Sequence, residues 1–169
     1  IETIWIYLAT LKLGAFDVPI NVSYTSSELE YFINDSEPKI FVTDNFKKIK
    51  EITNKYPEIY IFDLKNEKKL IFNKTFNVND EITNCNNNDT AAILYTSGTT
   101  GKPKGAMISN QNLISNCLSL IDLWQISEKD VLLHILPIYH THGLFVALNT
   151  LMMSGGSIKF FEKFDENNL

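Results

Sequence analysis

Between Ile40 and Phe62 two short apolar runs, Ile40-Phe41-Val42 and Ile59-Tyr60-Ile61-Phe62, bracket a helical stretch from Asn45 to Lys55. Lys47, Lys48 and Lys55 mark the wet side of that stretch. Strand, helix and strand at this spacing predict mostly parallel sheets with covering helices, an α/β fold. The rest of the chain keeps the rhythm. Ile1, Ile4, Trp5, Leu8 and Leu11 form a helical stripe that Gly14 is placed to end. Val18-Pro19-Ile20 is extended, and capping boxes at Thr25/Glu28 and Ser27/Glu30 start a helix that runs to about Asp35. A polar, Asn-rich stretch runs from Lys65 to Asp89, with a short hairpin expected near Leu70-Ile71-Phe72.

Order returns at Ala91. A strand over Ala92-Ile93-Leu94-Tyr95 leads into a loop, and Ala106-Met107-Ile108 leaves it as a second strand. Asn110 to Trp124 reads as a helix with Leu113, Cys117, Leu120, Ile121 and Trp124 on one face. Val131-Leu132-Leu133 and Ile135-Leu136 make a strand that Pro137 breaks. Leu144 to Met153 is expected to be a buried helix closed by Gly155-Gly156, and Ser157 to Phe161 is a last strand. Two portions are expected, 1–88 ending in the Asn-rich loop and 89–169 carrying the glycine-rich one.

The 44% hydrophobic and 21% charged content excludes disorder, and a net charge of -5 argues against a nucleic-acid or anionic-membrane partner. The longest apolar stretch, Gly143 to Met153, is well short of the roughly 20 residues a membrane span needs and contains Asn149. Cys85 and Cys117 match no metal or redox spacing, so both are expected as free thiols in a reducing compartment, the cytoplasm first, with an organelle lumen as the alternative. All 15 basic residues are lysine. The chain begins at Ile1 inside a helical pattern, which suggests a piece of a longer protein.

The chemistry concentrates in Tyr95-Thr96-Ser97-Gly98-Thr99-Thr100-Gly101-Lys102-Pro103-Lys104-Gly105. Its glycines let backbone N–H groups turn inward as an anion nest. The hydroxyls of Thr96, Ser97, Thr99 and Thr100 add neutral donors, and Lys102 and Lys104 add charge. Donors without acceptors, at the carboxyl end of a buried strand, suit a polyphosphate. The loop is not a Walker motif, because Gly98 and Gly101 are too close and Pro103 comes directly after Lys102. A flexible surface turn is the competing reading.

The same stretch resembles the signature phosphate loop of adenylate-forming enzymes, which include acyl-CoA synthetases, luciferases and peptide-synthetase adenylation domains. Leu136-Pro137-Ile138-Tyr139-His140-Thr141-His142-Gly143 resembles that family's next motif at its expected distance, and Gly14 to Asn21 and Glu28 to Pro38 are similar to it as well. Together with Pro19-Ile20-Asn21-Val22-Ser23-Tyr24-Thr25, the histidine motif looks most like the malonyl-CoA synthetase branch.

The resemblance implies part of a large N-terminal domain, without the C-terminal domain. It implies an ATP-dependent carboxylic acid–CoA ligase that forms an acyl-adenylate, releases pyrophosphate and transfers the acyl group to CoA. Thr96, Ser97, Gly98, Thr99, Thr100, Gly101 and Lys104 are implied to hold the β- and γ-phosphates of ATP, and Lys102, at a variable family position, ranks below Lys104. Mg2+ would bridge the phosphates, with its protein ligand outside this chain. His140 is implied as the catalytic histidine near the reacting carboxylate, and His140, His142 and Gly143 as the lining of the acyl pocket. Two histidines there suit a small dicarboxylate such as malonate. His142 departs from the general motif, and a structural histidine or a metal pair compete for it. His134, inside a strand, reads as structural. Fatty-acid or other acyl-CoA ligation is the alternative within the family; outside it the alternatives are a phosphotransferase or NTPase using the same loop, and a nucleotide-binding non-catalytic or truncated protein.

Overall fold

The computed structural model describes residues 2–65, 69–70, 82–96 and 103–161. It divides into two compact units, one holding residues 1–5 and 21–81, the other residues 6–20 and 82–169. The segment 6–20 thus groups with the later part of the chain, and the division falls at 81/82, where the sequence suggests 88/89.

In the first unit, α2 (Ser26–Ser36) starts at a capping box. Glu28 Oε2 accepts from the Thr25 backbone N–H at 2.7 Å, and Thr25 Oγ1 accepts from the Glu28 N–H at 3.4 Å. Both exchanges satisfy amides that the first turn would leave orphaned. The helix buries Leu29, Phe32 and Ile33 and ends at Glu37 in the left-handed region. β1 (Ile40–Thr43) and β2 (Tyr60–Asp63) run parallel, joined through α3 (Phe46–Lys55), which buries Ile49 and Ile52. β3 (Lys69–Leu70) adds antiparallel to β2, so a pairing forms at Leu70, while Ile71 and Phe72 lie outside the described residues. Lys55 Nζ meets Glu30 Oε1 at 2.6 Å.

α1 (Glu2–Lys12) ends at Gly14, whose φ of +69° favours glycine. In the second unit the extended segment after it bridges to β4 (Thr90–Thr96): the Asp17 N–H donates to the Ala91 carbonyl and the Ile93 N–H to the Asp17 carbonyl, both at 2.9 Å. These two bonds tie 6–20 to the later half of the chain. On its other side β4 pairs antiparallel with β5 (Lys104–Ser109). Ser109 then caps α4 (Asn110–Trp124) in a capping box with Asn112. α4 buries Leu113 and Cys117, but Trp124, expected on that face, is 54% exposed at the helix's last residue.

β6 (Val131–His134) pairs in parallel with β7 (Ser157–Phe160). The connection between them is a π-helical segment, His142–Leu148, continuing into α5 (Asn149–Ser154) and closed by Gly155 at φ +79°. Apolar spacing predicts a single α-helix here, and the wider π turn is the difference. Leu144, Phe145, Leu148 and Leu151 form the buried side of this connection, and Tyr7, Ala91, Ala92 and Leu94 are buried in the same unit. Among the described strands, both parallel pairs are joined through helix, as α/β architecture requires. The two antiparallel pairs are β2–β3 and the β4–β5 hairpin.

Candidate functional site

The glycine-rich stretch lies in sequence between the paired strands β4 and β5. Ser97, Gly98, Thr99, Thr100, Gly101 and Lys102 lie outside the described residues, so the structure speaks to the two positions that flank them. Thr96 and Lys104 are Cα partners in the last register pair before the loop, and both are exposed. Directly opposed residues of an antiparallel pair share a face, so a hydroxyl and an ammonium sit side by side at the mouth of the loop. Among the described residues Lys104 has no carboxylate partner. Next in the ladder, Tyr95 faces Gly105. A Cβ at Gly105 would stand 2.8 Å from Ile93 Cγ2 and 3.4 Å from Tyr95 Cε1, so glycine lets those two side chains lie across the hairpin. A hydroxyl and a cation side by side offer donors that fit phosphate oxygens.

The histidine motif forms a tight turn between β6 and the π-helical segment. The His140 N–H donates to the Pro137 carbonyl at 3.2 Å, and the Leu144 N–H to the His140 carbonyl at 3.0 Å. Gly143 is buried, and a Cβ there would lie 2.2 Å from the Pro137 carbonyl oxygen. The obstacle is backbone, which cannot swing aside, so the turn closes only with glycine. Around it His140 and His142 are both exposed, and the His140 ring tilts against Tyr139 at 4.6 Å. His134 is 3% exposed, with Nε2 2.9 Å from the Gly143 carbonyl oxygen, the structural role expected of it. No group of three or more His, Cys, Asp or Glu among the described residues could hold a metal ion.

Several buried polar groups escape a reading of the sequence. Asn149 Nδ2 donates to the Tyr7 hydroxyl at 2.8 Å across 142 residues of chain. Burial pushes the Tyr7 phenol up to about 12, against the pull of that hydrogen bond. Burial likewise raises the Asp17 carboxyl from 3.8 to about 6, with the Val18 backbone N–H pulling the other way. The Cys117 thiol is also pushed up by burial, and Thr150, beside it, keeps a buried hydroxyl without a hydrogen bond of proper geometry. Asn149 inside the apolar run Leu144 to Met153 is the available signal, because a half-buried amide among apolar neighbours calls for a partner.

Comparison with known proteins bears on the whole chain. The family profile described as "AMP-binding enzyme" matches residues 1–169. A CoA ligase of Gibberella moniliformis is 31% identical over 96% of this chain and 27% of its own length. A malonate–CoA ligase of Arabidopsis thaliana is 29% identical over 96% of this chain and 28% of its own. Among solved structures, ATP-bound MatB from Rhodopseudomonas palustris superposes with a TM-score of 0.82 at 41% identity, over 99% of this chain and 34% of that one. The chain therefore spans about a third of the length of the relatives it matches.

Proposed function

The chain belongs to the AMP-binding enzyme family, and from that premise we propose that it is the phosphate-loop portion of a longer ATP-dependent carboxylic acid–CoA ligase. The observation that carries the reading is the pairing of exposed Thr96 and Lys104 at the mouth of the glycine-rich hairpin. ATP supplies the activated phosphorus: a carboxylate oxygen bonds to the α-phosphorus as the bond to pyrophosphate breaks. The acyl-adenylate then yields its acyl group to the CoA thiol, releasing AMP. Thr96, Ser97, Gly98, Thr99, Thr100, Gly101 and Lys104, with Lys102 in a lesser part, hold the β- and γ-phosphates and offset the charge that gathers on the leaving group. Mg2+, if held there by a protein ligand outside this chain, would supply further positive charge to the phosphates.

His140 and His142 flank the acid, with Gly143 giving the backbone room that places them. Two exposed imidazoles on one turn favour a small dicarboxylate such as malonate, and the likeness to a malonate–CoA ligase supports the same choice. Among the described residues no helix is long and apolar enough to cross a membrane. Cys85 and Cys117 are free thiols, in keeping with the cytoplasm.

The test is ATP–pyrophosphate exchange by the full-length protein with malonate, methylmalonate, acetate and a longer fatty acid in parallel. Malonate-dependent exchange is expected, with none from the isolated 169-residue chain run beside it. Preference for the fatty acid would shift the reading to another acyl-CoA ligase. A folded protein that binds ATP and exchanges with no acid would leave only nucleotide binding, and fragment turnover matching the parent's would overturn the fragment's inactivity.

A further inference from the structure

We propose that His134 is a positioning residue for the acid-binding face, fixing the turn that presents His140 and His142; this rests on the roles given to those two histidines above. The turn is tied at three points. Two lie within it, His140 N–H to Pro137 and Leu144 N–H to His140. The third comes from β6: His134 Nε2, 2.9 Å from the Gly143 carbonyl oxygen. A carbonyl can only accept, so Nε2 carries the proton and the ring is a donor toward the turn.

Neither partner of that bond is free to wander. The His134 ring lies 5.1 Å from the Phe160 ring, tilted 41°, and Phe160 is its register partner on β7. Gly143 stands so close to the Pro137 carbonyl that not even a methyl group fits between them. His134 thus couples the parallel β6–β7 pair to the one peptide from which the π-helical segment departs, between His140 and Leu144. Thr141, before that segment, makes no side-chain cap, and the His134 bond to the Gly143 carbonyl is a side-chain tie on the segment's first turn. π-Helical turns recur at functional sites because they displace side chains from the α-helical path. Here the displaced residues begin with His142, and the anchor sets where that displacement starts.

The experiment uses the full-length protein with malonate as the probe acid. His134→Leu is expected to raise KM for malonate about tenfold, the loss of one buried hydrogen bond. KM for ATP should stay within about twofold, because Thr96 and Lys104 sit on a hairpin that His134 does not touch. His134→Gln, whose amide donates at similar reach, should restore malonate KM to within about twofold of the wild type. Deuterium uptake over residues 138–148 should rise in His134→Leu but not in His134→Gln, with residues 90–96 unchanged in both. Unchanged malonate KM in a folded His134→Leu protein, equal losses for malonate and ATP, or glutamine no better than leucine would each overturn the proposal. Should leucine prevent folding, glutamine is compared with the shorter asparagine: a gap between them supports the anchor, and equal behaviour refutes it. Absence of acid-dependent exchange in the wild type would remove the ligase reading alone, and the deuterium-uptake comparison would still decide whether His134 holds the turn.

Discussion

Gly143 and Asp17 show two ways a single residue enters this fold. The motif around Gly143 singles it out in the sequence, and the structure gives the reason, a backbone carbonyl where a Cβ would stand. Asp17 carries no such signal. Its surroundings come from β4, far along the chain, and only the folded unit shows that the carboxyl is desolvated. Folded Asp17 keeps its proton to about pH 6, against an ordinary value of 3.8. Between those values the folded state binds more protons than the unfolded state, so stability falls as pH rises from about 4 to 6. Above that window the charged form carries a cost of at most about 3 kcal/mol. Asp17→Asn mimics the neutral form and can still accept from Val18. Its thermal midpoint in the full-length protein should exceed that of the wild type at pH 8, and the gap should close as pH falls from 6 toward 4. A constant gap across that range would contradict the assignment. Asn149 stands out as a polar residue in an apolar run, but its partner Tyr7 is distant in sequence, and pattern rules see only neighbours.

Elements whose ends are set locally are legible almost to the residue. Of the two boxes the sequence offers, Thr25/Glu28 starts α2, and α4 spans the expected Asn110 to Trp124. The cap of α4 is less visible, because Ser109 is also the last residue of β5 and asparagine takes the place that Glu or Gln holds in the usual box. Ser109 Oγ nonetheless accepts from the Asn112 N–H at 3.2 Å, and Asn112 Oδ1 accepts from the Ser109 N–H at 3.0 Å. Ser109→Ala should therefore lower the stability of the full-length protein by about 1 kcal/mol, read as a denaturant midpoint. A midpoint equal to the wild type's would show that β5 alone positions the helix start. The π-helical segment lies beyond reach of the sequence, since apolar spacing does not distinguish an α-helical turn from a π-helical one. Strand direction is partly legible. Helical connections predict the parallel pairs, while the short loop after β4 permits an antiparallel return that the spacing of apolar runs leaves open.

At the scale of the molecule, the two units bury ordinary cores, yet the second leaves a good deal of apolar surface in water. Met107 on β5 is 71% exposed, Val131 on β6 61%, and Leu118 and Leu123 on α4 are exposed too. Single exposed apolar residues are unremarkable, but β5 combines one with a strand edge. Among the described residues no strand pairs with the side of β5 away from β4, so a row of backbone donors and acceptors lies open there. The relatives are about three times as long as this chain. An unpaired strand edge is a template for pairing with a second molecule. The isolated 169-residue chain should accordingly self-associate as its concentration rises, as tracked by light scattering. Met107→Lys places a charge at the centre of that edge without touching Thr96, Lys104 or Gly105, and should raise the concentration at which association begins. Association that is indifferent to Met107→Lys but suppressed by a charge at Leu123 would move the contact from the edge of β5 to the outer face of α4.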